Sequence, residues 1–67
     1  MKTIGENIRE LRTQNNMTMV ELASIIGVKR KTILNIEKNR SAVKSDYVYA
    51  ICDEFNITPN KLYGWEE

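Results

Sequence analysis

The sequence predicts an all-α fold, and three observations support that prediction. Apolar residues recur along the whole chain at the three-to-four-residue spacing of helices, and no run alternates with the period of two typical of a half-buried strand. Residues that favour helix starts precede these runs, and Asn or Gly follows them. A length of 67 residues fits one small domain over 1–67, without an internal repeat or linker.

The apolar spacing divides the chain into five helices. The second opens on Thr18, which forms a capping box with Glu21: the hydroxyl accepts from the third backbone N–H, and the carboxylate accepts from the first. Asn or Gly after each helix suits the left-handed backbone that ends it. The predicted helices are 4–14, 18–26, 30–38, one from residue 44 or 45 to 55, and a short last helix with its tail over 58–67.

The second and third predicted helices form a helix-turn-helix over about residues 18–40. Ala23 is small where the two helices cross, and Gly27 supplies the sharp turn between them. Ile33 and Ile36 anchor the third helix to the core, so its other face points outward. That outward face carries Arg30, Lys31 and Asn35, with Thr32 and Leu34 toward its edges.

The charge distribution singles out residues 29–44. The formal net charge of the chain is only +1, which argues weakly against a nucleic-acid partner. Residues 1–28 are neutral, however, 29–44 carry +5, and 45–67 carry −4. Such a distribution directs one face toward phosphates; the alternative is a solvated lysine-rich loop. The basic residues of the segment are Lys29, Arg30, Lys31, Lys38, Arg40 and Lys44.

Several classes of protein do not fit this composition. With no His and one Cys, the chain holds neither a disulfide framework nor the usual ligands of a structural zinc ion. No apolar run reaches membrane-spanning length, and the N-terminus lacks a signal peptide. We therefore expect a cytoplasmic protein without metal, cofactor or small-molecule ligand. We expect Cys52 to be a small buried hydrophobe rather than a redox sensor.

Six segments of the chain resemble the phage repressor/Cro (Xre-type) helix-turn-helix family. Each is degenerate alone, but together they run without a gap over nearly the whole chain. They are GENIRELR (5–12), MTMVELA (17–23), IGV (26–28), TILNIE (32–37), ICDEF (51–55) and ITPNKL (57–62). The resemblance implies a five-helix, lambda-repressor-like domain. It also implies a transcriptional regulator, which we expect to be a repressor, binding double-stranded operator DNA as a homodimer on a palindromic site.

The resemblance also assigns residues to the DNA. Bases are read where this chain has Arg30, Lys31, Thr32 and Asn35. Arg or Lys suits guanine, and Asn suits adenine, although Asn35 is short and water is an alternative partner. Arg12 and Glu37 occupy positions that form an ion pair in some family members. Phosphates are expected to contact Thr18, Met19, Lys29, Lys38, Asn39, Arg40, Ser41 and Lys44.

Three positions depart from the family pattern. Met19 replaces a Gln that often binds phosphate, so the contact is lost or is replaced by an apolar one with a sugar or a thymine methyl group. Lys29 replaces a Ser or Thr cap and is expected to touch phosphate instead. Leu34 stands at a commonly polar position, where it either reaches a thymine methyl group or packs inward.

Four aromatic residues exceed what the core of so short a chain can hold. We predict Tyr47 and Tyr49 on the outer side of the fourth helix, and a two-fold dimer through the last helix and tail. In the alternative, Trp65 folds back over its own core. The predicted dimer interface comprises Leu62, Tyr63 and Trp65.

Three candidate functions are compared for this chain. A DNA-binding regulator is favoured by the basic outer face of the third helix. A protein-interaction module, for example an antitoxin-like or adaptor protein, would have kept the fold without binding DNA. An enzyme is excluded, because the chain has no His, one Cys that we expect to be buried, and no pair of carboxylates flanking a cleft.

Overall fold

A computed structural model describes residues 2–65 and contains five α-helices within them. They are α1 (Ile4–Gln14), α2 (Met19–Ile26), α3 (Arg30–Glu37), α4 (Ser45–Phe55) and α5 (Pro59–Tyr63). The described range holds no β-strand, so the all-α, five-helix prediction is confirmed. Met1, Glu66 and Glu67 lie outside the described residues, and the predicted tail is therefore described only to Trp65.

Threonine caps begin three of the helices. The Thr3 hydroxyl accepts from the backbone N–H of Glu6 at 3.2 Å, and the Thr18 hydroxyl accepts from that of Glu21 at 3.1 Å. Both glutamates reach back to the backbone N–H of their threonine, which completes two capping boxes. The box at Thr18 is confirmed; the one at Thr3 has the same spacing and was not predicted. Thr58 caps α5 in the same way.

Residues with a left-handed backbone conformation end the helices or the turns that follow them. Asn and Gly tolerate this conformation better than other residues, and they occupy every such position in residues 2–65. The residues and their φ angles are Asn16 (53°), Gly27 (77°), Asn39 (60°), Asn56 (54°) and Gly64 (81°). The helix ends are thus set locally by residue type, as the sequence predicts.

All five helices contribute to one hydrophobic core. Cys52 is among its members with 6% of its surface exposed, and burial raises the pKa of its thiol. The reactive thiolate is therefore disfavoured, in keeping with a small buried hydrophobe. The buried apolar residues are Ile8, Leu22, Ala23, Ile33, Ile36, Val48, Ile51, Cys52 and Leu62.

A glycine lets α1 cross α3 at close range. Gly5 is buried in the first turn of α1. A Cβ atom there would overlap the carbonyl oxygen of Ile36 and lie 2.8 Å from Oδ1 of Asn39. The position of α3 relative to α1 therefore depends on the missing side chain.

The last helix is held against the first. Asn7 in α1 donates from Nδ2 to the carbonyl oxygen of Leu62 at 2.8 Å. Leu62 itself is only 1% exposed. Its assignment to a dimer interface is therefore corrected: α5 turns this side chain into the core of its own chain, which leaves no surface for a second chain.

Candidate nucleic-acid interface

A tight turn after α2 sets the direction of α3. Gly27 ends α2 in the left-handed conformation, and the backbone N–H of Val28 donates to the carbonyl oxygen of Ala23 at 2.9 Å. Lys29 then takes an extended backbone and becomes the N-cap of α3, with no side-chain cap hydrogen bond. This agrees with the expectation that Lys29 is a poor cap, and it leaves its exposed ammonium group free for another contact.

Helix α3 is buried on one side and accessible on the other. Ile33 and Ile36 are at most 1% exposed and fix its inner face in the core. Of the four residues expected to read bases, two are exposed and two are half-buried. They are Arg30 and Lys31, which are exposed, and Thr32 and Asn35, which are half-buried.

The charges on α3 oppose its helix dipole at both ends. Its first turn contains Arg30 and Lys31 and no acidic residue, although the N-terminus of a helix is its positive end. Its last residue is Glu37, at the negative end. Charges of the wrong sign cost roughly 0.3–1 kcal/mol each at an exposed helix end. Local rules broken in this way are typical of a functional site. An anion near Arg30 and Lys31 would offset the cost.

Arg12 removes the cost at the other end of α3. Its Nε donates to Oε2 of Glu37 at 2.7 Å, and a terminal nitrogen donates to Oε1 at 2.9 Å. The two side chains are 11% and 3% exposed, and the hydrogen bond to Glu37 raises the pKa of the Arg12 guanidinium. Glu37 is the single acidic residue of 29–44. None of the six exposed cations of that segment forms an ion pair within residues 2–65.

The start of α2 lies beside the start of α3. Thr18, Met19 and Arg30 line one shallow, open depression of about 580 Å³. The Thr18 hydroxyl is part of the cap, where its oxygen accepts from the backbone N–H of Glu21. Two of the residues expected to contact phosphate are thus next to a residue expected to read bases.

The remaining residues expected to contact phosphate lie at the end of α3 and in the loop after it. All are exposed, and the loop is tied to α3 by the backbone N–H of Arg40, which donates to the carbonyl oxygen of Asn35 at 2.8 Å. The Lys44 ammonium group lies 5.8 Å from the centre of the Tyr47 ring. The residues concerned are Lys38, Asn39, Arg40, Ser41 and Lys44.

A second depression, of about 240 Å³, contains a cation that the sequence reasoning missed. Arg9 lines it together with Met19, Leu34 and Lys38. Arg9 precedes Arg12 by three residues and so lies on the same side of α1, a spacing that would have placed it beside α3.

The exposed aromatic residues form a separate surface on α4 and α5. The rings of Tyr63 and Trp65 stack with centroids 4.7 Å apart and planes 15° apart, and Trp65 is 72% exposed. Trp65 therefore covers its neighbour and not the core. Tyr49 is 65% exposed and shares a small cleft of about 90 Å³ with Tyr63. The prediction that Tyr47 lies on the outer side of α4 is wrong, because its side chain is half-buried and packs against the core.

No helix in the described part of the chain is both long and apolar enough to cross a lipid bilayer.

Comparisons with known proteins agree with this geometry. Residues 5–64 match the family model described as a helix-turn-helix domain. The antitoxin PezA of Streptococcus pneumoniae is 34% identical over 91% of this chain, which spans only 39% of PezA. An uncharacterized HTH-type transcriptional regulator of Archaeoglobus fulgidus is 35% identical over 90% of this chain and 84% of its own length.

The fold also matches a solved repressor. The structure of the P22 c2 repressor in complex with a synthetic operator superposes with a TM-score of 0.89. The match covers 98% of this chain and 100% of the repressor chain, at 20% sequence identity. The lambda-repressor-like architecture expected from the sequence is therefore confirmed.

Proposed function

This chain belongs to the helix-turn-helix domain family, in its phage repressor/Cro (Xre) type, and from that premise we propose how it acts on DNA. It is a DNA-binding transcriptional regulator and not an enzyme. In our proposal α3 enters the major groove of double-stranded operator DNA and reads its sequence. The observation that carries the proposal is the unbalanced positive charge at the start of α3, where Arg30 and Lys31 are exposed without an acidic neighbour.

The proposed base contacts follow from the outer face of α3. Arg30 and Lys31 have donors that match O6 and N7 of guanine, and the amide of Asn35 matches N6 and N7 of adenine. Asn35 makes no side-chain hydrogen bond within residues 2–65, so its amide is available to a base or to a bridging water. Thr32, at the edge of the helix, is proposed to assist them.

The proposed phosphate contacts lie on both sides of α3. The start of α2, with the Thr18 hydroxyl, flanks it on one side. Lys29 precedes α3, and the α3–α4 loop with its exposed cations comes after it. Because each neutralised phosphate releases counterions, binding should weaken steeply as salt increases.

We further propose a homodimer on a palindromic operator, acting as a repressor. The stack of the half-buried Tyr63 and the exposed Trp65 at the end of α5 supports a self-association surface distant in sequence from the proposed DNA-contacting residues. Two copies related by a two-fold axis would present two α3 helices to half-sites about one helical turn apart. A DNA target together with relatives in bacteria and archaea makes the cytoplasm the proposed compartment.

Selection of bound sequences from a random duplex pool tests this proposal. We expect a palindromic consensus and a dissociation constant that rises steeply between 50 and 200 mM salt, on the order of a thousandfold or more for a dimer with six or more phosphate contacts. Lys61→Ala in α5 serves as a matched control for Lys38→Ala, because Lys61 is also exposed but lies outside the proposed contacts. Recovery of unselected sequences, with binding that does not depend on salt, would refute DNA recognition.

The relationship to PezA favours a second role beside the first. PezA is named as an antitoxin, and this chain is similar to part of it. A protein partner bound at the exposed ring of Tyr49 would leave α3 free for DNA and Trp65 free for the proposed homodimer. Binding to operator DNA that is unchanged by a Tyr49→Ala substitution, with loss of a co-purifying partner, would support this role; loss of operator binding would oppose it.

A further inference from the structure

We propose that Met19 and Leu34 form a binding site for the C5 methyl group of a thymine in the operator. This inference rests on the proposed function and makes it more specific. It gives a role to two apolar side chains that stand where the family pattern is polar.

Leu34 does not pack against the core. It is half-buried, yet it is not among the described apolar side chains that contact the core cluster. Its accessible surface lines the depression of about 240 Å³ that it shares with Met19. Of the two alternatives that the sequence leaves for Leu34, the structure therefore disfavours the one in which this side chain packs inward.

The helical position of Leu34 places it on the path of DNA. It follows Arg30 by four residues and precedes Lys38 by four, so the three side chains lie along one stripe of α3. A duplex that contacts both cations must pass over Leu34. Met19, the first residue of α2, packs against the core with part of its side chain and also lines the depression.

The depression is lined by two apolar side chains, Met19 and Leu34, and by four charged ones. Arg9 and Lys38 flank the two apolar side chains, and both are exposed. Glu37 also lines it, but its carboxylate is held by both nitrogen donors of Arg12. The phosphates of a bound duplex would therefore contact Arg9 and Lys38. A group placed over Met19 and Leu34 would contact carbon and sulfur atoms.

The chemistry of the major groove leaves one good occupant. Polar base edges placed over Leu34 and Met19 would lose water without gaining a hydrogen bond, which is costly. The C5 methyl of thymine is the one apolar group that base pairs present in this groove. Burying it between the two side chains removes apolar surface from water on both partners.

The test replaces each thymine of the selected operator in turn by uracil, which removes only the methyl group. With the wild-type chain we expect one thymine in each half-site at which the replacement weakens binding about fourfold, the worth of one buried methyl group. The same replacement at other thymines should change affinity less than twofold. This arm uses no protein variant, so it does not depend on the folding of a mutant.

Leu34→Ala and Met19→Ala identify the residues that bind the methyl group. For either variant, thymine and uracil at the sensitive position should bind within about 1.5-fold of each other, since the apolar partner has been removed. Ile25→Ala is the matched control: Ile25 is apolar, 41% exposed and at the far end of α2, and its variant should keep the fourfold difference.

The possible outcomes separate this inference from the function on which it rests. Specific binding without any methyl-sensitive thymine would overturn the methyl site alone. A methyl effect that persists in both variants would also overturn the methyl site. So would variants that lose the same affinity on all duplexes, which is the result expected for contact with a sugar. Absence of sequence-specific binding would overturn the proposed function together with the methyl site.

Discussion

Arg12 and Glu37, 25 residues apart in the chain, are joined by two parallel hydrogen bonds that tie α1 to the end of α3. A third donor of Arg12 binds the carbonyl oxygen of Met17 at 3.0 Å, just before the N-cap of α2. The Arg12 side chain therefore fixes the positions of α1, the start of α2 and the end of α3 relative to one another. The outward direction of α3 depends on this junction as well as on the hydrophobic core.

Arg12→Ala should destabilise the fold by about 3 kcal/mol, because it leaves the nearly buried Glu37 carboxylate without its partner. For a small domain with a stability of about 5 kcal/mol, that loss would populate the unfolded state measurably. The free energy of unfolding from urea titration checks this, with helix content followed by circular dichroism.

Two variants control for this result. Lys2 pairs with Glu10 on the surface, where the side chains are 58% and 45% exposed. Lys2→Ala should cost less than about 1 kcal/mol, as exposed ion pairs do. Arg12→Met combined with Glu37→Met removes both charges and should recover much of the stability lost by Arg12→Ala. An Arg12→Ala variant as stable as Lys2→Ala would contradict the structural role of the pair.

Gly5→Ala should also be destabilising, although alanine is the better helix former by about 1 kcal/mol. The new methyl group would overlap the backbone of Ile36, and overpacking of this kind costs about 1–3 kcal/mol beyond the propensity gain. Gly27→Ala is a useful comparison, since its Cβ would meet no atom within 4 Å and the cost there comes only from the left-handed backbone. Thermal unfolding of both variants measures the difference, and a stabilised Gly5→Ala variant would show that α1 and α3 do not cross so closely.

The elements that the sequence predicts well are those determined by neighbouring residues. The α2 capping box joins residues three apart, and the left-handed ends at Gly27, Asn39 and Asn56 depend on one residue each. The predicted bounds of the helices agree with the structure to within one or two residues for the same reason. The capping box at Thr3 was equally local, and its Thr-x-x-Glu spacing was present in the sequence.

The features that sequence reasoning missed depend on how helices pack. Leu62 was assigned to the surface because α5 is too short to show a periodic pattern, and only the packing of α5 against α1 and α4 turns it inward. The close approach at Gly5 requires the distance between α1 and α3. Arg9 joins the candidate interface because α1 lies beside α3, and its spacing of three residues from Arg12 was the signal for this in the sequence.

The two capping boxes predict a loss of stability in acid. Hydrogen bonds from Thr3 and Thr18 lower the pKa of Glu6 and Glu21 below the ordinary value of 4.5. A carboxylate whose pKa is lower in the folded state stabilises the fold above its unfolded pKa. That stabilisation disappears as the pH falls below 4.5 and through the folded pKa. Glu21→Gln keeps a side-chain acceptor but cannot titrate, so wild type should be the more stable at pH 7 and the two should converge near pH 3.

Urea titrations of both proteins between pH 7 and 3 measure this convergence. Glu6→Gln is the parallel variant at the start of α1, and its effect should add to that of Glu21→Gln because the two boxes share no residue. A stability difference that remains constant over the whole pH range would show that the carboxylates contribute by a route other than their charge.

Arg30→Ala and Lys38→Ala should weaken DNA binding in different ways. Arg30 is proposed to read a base, so its loss should cost about 1–3 kcal/mol on the operator and relax the preference at one position. Lys38 and Arg40 are proposed to contact phosphate, so their loss should weaken binding to all duplexes alike and reduce the slope of affinity against salt by about one unit each.

Affinity titrations on the operator and on a scrambled duplex, at several salt concentrations, separate these cases. Lys61→Ala should match wild type on both duplexes. An unchanged operator preference in Arg30→Ala would contradict its role in base recognition. A Lys38→Ala variant that binds the scrambled duplex as well as wild type does would contradict the phosphate contact.

Trp65→Ala should shift the proposed dimer toward monomer. Trp65 is stacked on Tyr63 with 72% of its surface exposed, and a tryptophan buried at the centre of an interface is worth about 2 kcal/mol or more. We expect the dimer dissociation constant to rise by roughly thirtyfold in sedimentation equilibrium, and operator affinity to fall with it. Val20→Ala is the matched control, since Val20 is 59% exposed at the start of α2, away from α5. A wild-type chain that remains monomeric at high micromolar concentration, with and without operator DNA, would rule out this dimer.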